Sequence, residues 1–213
     1  MDKIRLKKTI RVKVISMGNA ETGKSCIIKR YCEKRFVSKY LSTIGIDYGV
    51  TNLTLNKVRN EFYKDTQGAL LVFDVTNRAS FDALDSWLAE MRQEIGDPSE
   101  MEKVVFCLCA NKVDRTSQRA VEEYEGHAWA NNKGFHYFET SAASGDGISE
   151  LFEKLFQGLV TAYENGGKVE RINTTLGYTK EQIDAIQRLK SGTDDWKRLG
   201  LLPGANNNKR LGN

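Results

Sequence analysis

The segment Gly18-Asn19-Ala20-Glu21-Thr22-Gly23-Lys24-Ser25 satisfies the spacing Gly-x-x-x-x-Gly-Lys-[Ser/Thr]. Glycines at both ends let a short loop turn its backbone N–H groups inward around phosphate oxygens, and a helix opening at the lysine adds the positive end of its dipole. Lys24 is then placed to reach β- and γ-phosphates, and the Ser25 hydroxyl is offered to Mg²⁺. Residues 18–26, ending with Cys26 in the first helical turn, form the candidate phosphate set.

Asn111-Lys112-Val113-Asp114 directly follows the apolar run 104–110, so it stands at the carboxyl end of a buried strand, where open α/β sheets bind ligands. Asp114 can accept hydrogen bonds from guanine N1–H and the 2-amino group, which adenine cannot supply. A buried acceptor left unpaired by the wrong base discriminates by ~10⁴ or more. The Lys112 stem can lie on the purine face, and Asn111 can tie this loop to the phosphate loop. Glu139-Thr140-Ser141-Ala142 follows the last strand, and backbone N–H groups at Ser141 and Ala142 are candidates for guanine O6.

Positioning these loops requires strands and helices in alternation. Residues 10–17 alternate apolar and polar and stop at Gly18, with Ile27, Ile28 and Tyr31 at helical spacing beyond. Runs 69–75 and 104–110 are unbroken and apolar, as strands covered on both faces are. Phe81, Leu84, Trp87, Leu88, Met91 and Ile95 mark one amphipathic helix, and Ile148, Leu151, Phe152, Leu155, Phe156 and Leu159 another. Val121, Tyr124 and Ala128 suggest a weaker helix between them, and residues 135–138 a last short strand. This order specifies an α/β domain with a mostly parallel sheet flanked by helices.

With 213 residues, 40% apolar and 28% charged, the chain can bury one core and carry a small appendage. Lys+Arg 32 against Asp+Glu 28 leaves +4, too balanced for the cationic stripe of a nucleic-acid binder. No run approaches the ~20 apolar residues of a membrane span. The amino end has no apolar signal core, Asp2 stands where myristoylation needs Gly, and the carboxyl end offers no cysteine to prenylate. A cytoplasmic location, with the nucleus as a second compartment, is expected. Cys26, Cys32, Cys107 and Cys109 lie in apolar-periodic segments and read as buried thiols of a reducing compartment.

The three motifs in this order resemble the Ras superfamily of small GTPases, especially Rab-like members, over residues 10–164. The resemblance implies a Ras-like P-loop NTPase fold, GTP and GDP as ligands with Mg²⁺, and protein effectors and regulators as partners of a monomer. Phe36, Tyr40 and Thr43 match the first switch segment. By that resemblance Phe36 packs on the nucleotide, Tyr40 closes over the phosphates, and Thr43 joins Ser25 on Mg²⁺ while sensing the γ-phosphate.

The family pattern is broken further on. A strand over 46–55 runs through Asn56-Lys57 into residues 58–65, which look like the family's second helix, so one strand and most of the second switch are missing. Asp65-Thr66-Gln67-Gly68 matches the family's Asp-x-x-Gly as text, but it precedes the strand 69–75 instead of ending one. In the family that Asp orients a Mg²⁺-bound water, the Gly amide holds the γ-phosphate, and a following Gln positions the attacking water. Their loss implies slower hydrolysis and weaker discrimination of GTP from GDP, while Ala20 crowds an incoming arginine finger. Direct pairing of 46–55 with 10–17 by a right-handed crossover would repair the sheet.

Residues 165–178 read as a linker. Thr179-x-x-Gln182 opens a short helix in a tail over 179–213, where Asp194 to Ala205 resembles the opening of a J domain. The whole chain thus resembles Rab-like proteins with a C-terminal J domain. The His-Pro-Asp motif is absent, so co-chaperone activity is not expected. Two functions follow: a guanine-nucleotide-binding signalling switch with impaired hydrolysis, or a nucleotide-free or GDP-locked interaction scaffold.

Overall fold

The computed structural model describes residues 12–36 and 62–169. The chain divides into units Met1–Asn173 and Thr174–Asn213, and every described residue belongs to the first. The 46–55 strand and its proposed pairing, the switch residues Tyr40 and Thr43, and the tail lie outside the described residues.

Among the described residues four strands form one sheet: β1 (Val14–Met17), β2 (Gly68–Asp74), β3 (Val105–Asn111) and β4 (His136–Thr140), side by side in that order. All three pairings are parallel. Around them run α1 (Lys24–Glu33), α2 (Arg78–Asp82), α3 (Leu84–Ile95), α4 (Pro98–Glu102), α5 (Glu123–Lys133) and α6 (Ile148–Glu164), with a short 3₁₀ turn at Thr116–Gln118. A parallel sheet thus lies between helical layers, as the α/β reading of the sequence expects.

Why β2 and β3 read as continuous apolar runs is plain from their surroundings: every residue of both is buried. Alternate side chains serve different layers. Leu71, Phe73, Phe106 and Leu108 meet Leu84, Leu88, Met91 and Ala130 on one face. Leu70, Val72, Val105, Cys107 and Cys109 meet Ile27, Leu151, Leu155 and Leu159 on the other.

The helix over 81–95 is two helices, broken at Ala83, whose backbone caps the first and opens the second. The weaker helix is real and longer than its apolar markers, because its contact face is built from the small residues Gly126 and Ala130. The thiols divide: Cys107 and Cys109 are buried, but Cys26 is only partly covered and Cys32 is exposed, so four buried thiols is corrected to two. Burial pushes the Cys107 thiol up to about 12 and raises Cys109 as well. Among the described residues no helix is long and apolar enough to cross a membrane.

Register decides where the loops emerge. Asp74 is level with Asn111, and Asn111 with Thr140. The chain leaving Met17, Asp74, Asn111 and Thr140 therefore emerges at one rim. Gly68, by contrast, is level with Val14 at the start of β1. Asp65-Thr66-Gln67-Gly68 thus lies at the opposite rim, away from the phosphate loop.

Candidate nucleotide-binding site

The loop between β1 and α1 is shaped by backbone conformations that few residues tolerate. Gly18 has φ 137°, Glu21 66° and Gly23 94°. A Cβ on Gly18 would lie 2.1 Å from the Val72 carbonyl oxygen, and one on Gly23 would lie 2.3 Å from Asn111 Nδ2. Both glycines let the loop sit directly on neighbouring strands, the close approach that a phosphate cradle requires. Gly23 caps α1 with no side-chain hydrogen bond. By helix geometry the first-turn amides of α1 point toward the loop.

Lys24 folds back over the loop, its Nζ donating to Gly18 O at 2.8 Å and Asn19 O at 2.7 Å. Carbonyl dipoles hold the ammonium without neutralising its charge, and burial lowers its pKa. An anion in the cradle would relieve that desolvation. Thr22 is buried and donates to Asn19 O at 3.0 Å. Ala20 and Glu21 are exposed at the tip.

Asn111 joins the two halves of the site. It is 1% exposed. Its Nδ2 donates to Thr22 O at 2.7 Å, and its Oδ1 accepts from the Ala142 amide at 3.2 Å and from Thr140 Oγ1 at 3.3 Å. One amide thus ties its own loop to the phosphate loop, as expected from the sequence, and reaches the loop after β4 as well.

Asp114 is exposed and accepts from Ser141 Oγ at 2.6 Å. The Ser141 amide is donated to Asp146 O at 3.0 Å, and the Ala142 amide to Asn111. A guanine O6 at this point would therefore share the Ala142 donor with Asn111. Lys112, at φ 68°, pairs its Nζ with Asp74 Oδ2 at 2.7 Å, which fixes the stem beside the base loops. Burial works to raise the Asp74 pKa, but hydrogen bonds from Lys112 and Thr76 prevail and hold it below the usual carboxylate value. Phe36 is 42% exposed beyond the end of α1.

Several contacts at this rim were not visible in sequence. Asp74 is the one charged residue in the run 69–75 and ends β2, a signal that could have marked it. Arg30 Nη2 donates to Ala143 O and Ser144 O, linking α1 to the loop after β4. Arg119 forks onto Glu139 at 2.9 and 3.1 Å, and Trp87 Nε1 reaches Asn19 Oδ1 at 2.8 Å. Nothing local announces these pairs. An open groove lined by His136, Phe138, Glu150 and Lys154 starts at the amino end of β4, away from these loops.

A Ras family model matches residues 52–161, more than half of the chain. The chain belongs to the Ras family. A second model, that of the Ras of Complex (Roc) domain of DAPkinase, matches residues 13–61 of this Ras-family chain. DnaJ homolog subfamily C member 27 of Danio rerio is 56% identical over 217 residues, covering 93% of this chain and 80% of that protein. The Homo sapiens protein of that name is 55% identical over 216 residues, covering 93% and 79%. DnaJ homolog subfamily C member 27-A of Xenopus laevis is 52% identical over 217 residues. Since 93% of 213 residues is about 198, about 19 of the 217 positions aligned with the Danio rerio protein have no counterpart in this chain. A strand averages about 5–6 residues, so that shortfall is large enough for a strand and a loop together.

Proposed function

We propose that this Ras-family chain binds GDP and GTP with Mg²⁺ at the rim built by residues 18–26, 111–114 and 140–142, and that it hydrolyses GTP slowly. The observation that carries the reading is the Asn111 side chain, which locks a glycine-shaped phosphate cradle to the loops bearing Asp114 and Ala142. The residues fit the ligand. Two glycines leave room where a Cβ would collide with strand or side chain, and a half-buried ammonium stands over the cradle.

Each residue then has a task. First-turn amides of α1 and Lys24 bind phosphate oxygens, and Asp114 accepts from the guanine N1–H and 2-amino group. Lys112, braced by Asp74, lays its stem on the purine. Ser25 supplies an oxygen for Mg²⁺, which keeps several waters and takes few protein ligands; Thr43 is assigned the second. A bound Mg²⁺ would supply charge neutralisation between the phosphates.

The Asp-x-x-Gly text at 65–68 starts β2 at the far rim, so it supports the expectation that the γ-phosphate lacks its second sensor. A ligand bound equally by two states shifts neither. Intrinsic hydrolysis in this family is already slow without an activator.

Titration with fluorescent GDP, with and without Mg²⁺, tests the reading. Saturable binding, displaced by GTP and GDP with similar affinity but not by ATP, is the expected result, with single-turnover hydrolysis slower than in a complete relative. No saturable binding would favour a nucleotide-independent scaffold, and equal displacement by ATP would overturn the guanine assignment.

A further inference from the structure

A loop built from left-handed backbone conformations has no ladder of hydrogen bonds to hold it, so its shape depends on side chains that brace it. Asn111 braces Thr22 from the β3 side. A second brace comes from α3. Trp87, in the first turn of that helix, packs its ring against the core beneath α3 and α5, and its Nε1 donates to Asn19 Oδ1 at 2.8 Å across 68 residues of sequence. The Asn19 carbonyl is held at the same time by Lys24 Nζ and Thr22 Oγ1. Asn19 is therefore gripped through its backbone from inside the loop and through its side chain from α3.

We propose that Trp87 is a positioning residue for the phosphate loop, holding it open to a diphosphate and coupling α3 to the loop's occupancy. The proposal rests on the nucleotide reading above. Its physical basis is preorganisation: a loop already held in its binding shape loses less freedom when the ligand enters. The ring's rigid packing makes α3 a fixed anchor, and a half-buried indole N–H favours a partner it can keep.

The test measures dissociation of fluorescent GDP, chased with excess GDP, from the full chain. Trp87→Phe keeps most of the packing and removes the donor, while Asn19→Ala removes the acceptor. Each should speed release roughly three- to tenfold, the range expected for one hydrogen bond. The double variant should release no faster than the faster single one, because both remove the same bond. Trp129→Phe serves as control: that indole bonds Asp85 instead of the loop, and its loss should leave release unchanged.

A nucleotide-free readout separates this proposal from the guanine reading. The indole N–H resonance of Trp87 should move on addition of pyrophosphate and lose that response in Asn19→Ala. Wild-type protein that ignores GDP while pyrophosphate still moves the resonance would sink the guanine reading and leave the brace standing. Unchanged release in Trp87→Phe, multiplying effects in the double variant, or a resonance indifferent to pyrophosphate would overturn the brace.

Discussion

Half-buried Lys24 and buried Asp74 show two fates of a charge taken from water. Among the described residues Lys24 Nζ meets carbonyl dipoles at Gly18 and Asn19 and no carboxylate, so its charge is open to an anion. Hydrogen bonds to charged groups contribute about 1.5–3 kcal/mol. Lys24→Ala should accordingly weaken GDP binding roughly ten- to a hundredfold in a fluorescence titration while leaving the circular dichroism of the fold unchanged. Asp74 already has its cation, Lys112, and its pKa is depressed below the ordinary value of about 3.9. The folded state thus binds this proton more weakly than the unfolded chain. The resulting stability is fully present above about pH 4 and is lost as pH falls through the depressed value. Urea unfolding between about pH 2.5 and 6 should show a shallower acid loss for Asp74→Asn than for wild type. Lys24 and Asp114 could be singled out as candidates because each sits in a short motif of its own, where residue type and spacing come together. Asp74's partner and the Trp87 contact were not, because each pairs residues brought together only by the sheet and its helices.

Among the elements, the helix–sheet contact at α5 carries the sharpest expectation. Replacing glycine by alanine inside a helix ordinarily adds about 1 kcal/mol of stability. At Gly126 the new Cβ would lie 2.4 Å from Tyr137 Cε2, in a ring that meets His127 at a tilt and is hydrogen-bonded to Glu139. Gly126→Ala should therefore destabilise, by about 1–3 kcal/mol as overpacked sites do, and a melting curve reads the sign directly. The same small-residue contact explains why α5 was faint in the sequence: its buried positions are Gly126 and Ala130, which carry little apolar signal. The break at Ala83 was hidden for the opposite reason, since Phe81, Leu84, Leu88 and Met91 keep helical spacing across it and share one core. β2 and β3 were plain because burial on both faces demands uninterrupted apolar residues, whereas β4 is mostly half-buried.

For the whole molecule, a ligand that binds only the folded state adds about 2.7 kcal/mol at one hundred times its dissociation constant. GDP with Mg²⁺ at that excess should raise the melting temperature, and Gly23→Ala, whose Cβ would strike Asn111 Nδ2, should abolish that rise. The parallel sheet brings four strand ends to one rim, so the site is assembled from segments far apart in the chain. Asn111 spans the widest of these gaps, from Thr22 to Ala142. On the ribosome, where synthesis proceeds at about 5–20 residues per second, the cradle emerges many seconds before the asparagine that clasps it and the amide that completes the clasp. On the proposed reading, a nascent chain could not capture nucleotide until most of the domain has been made, which would place loading late in synthesis.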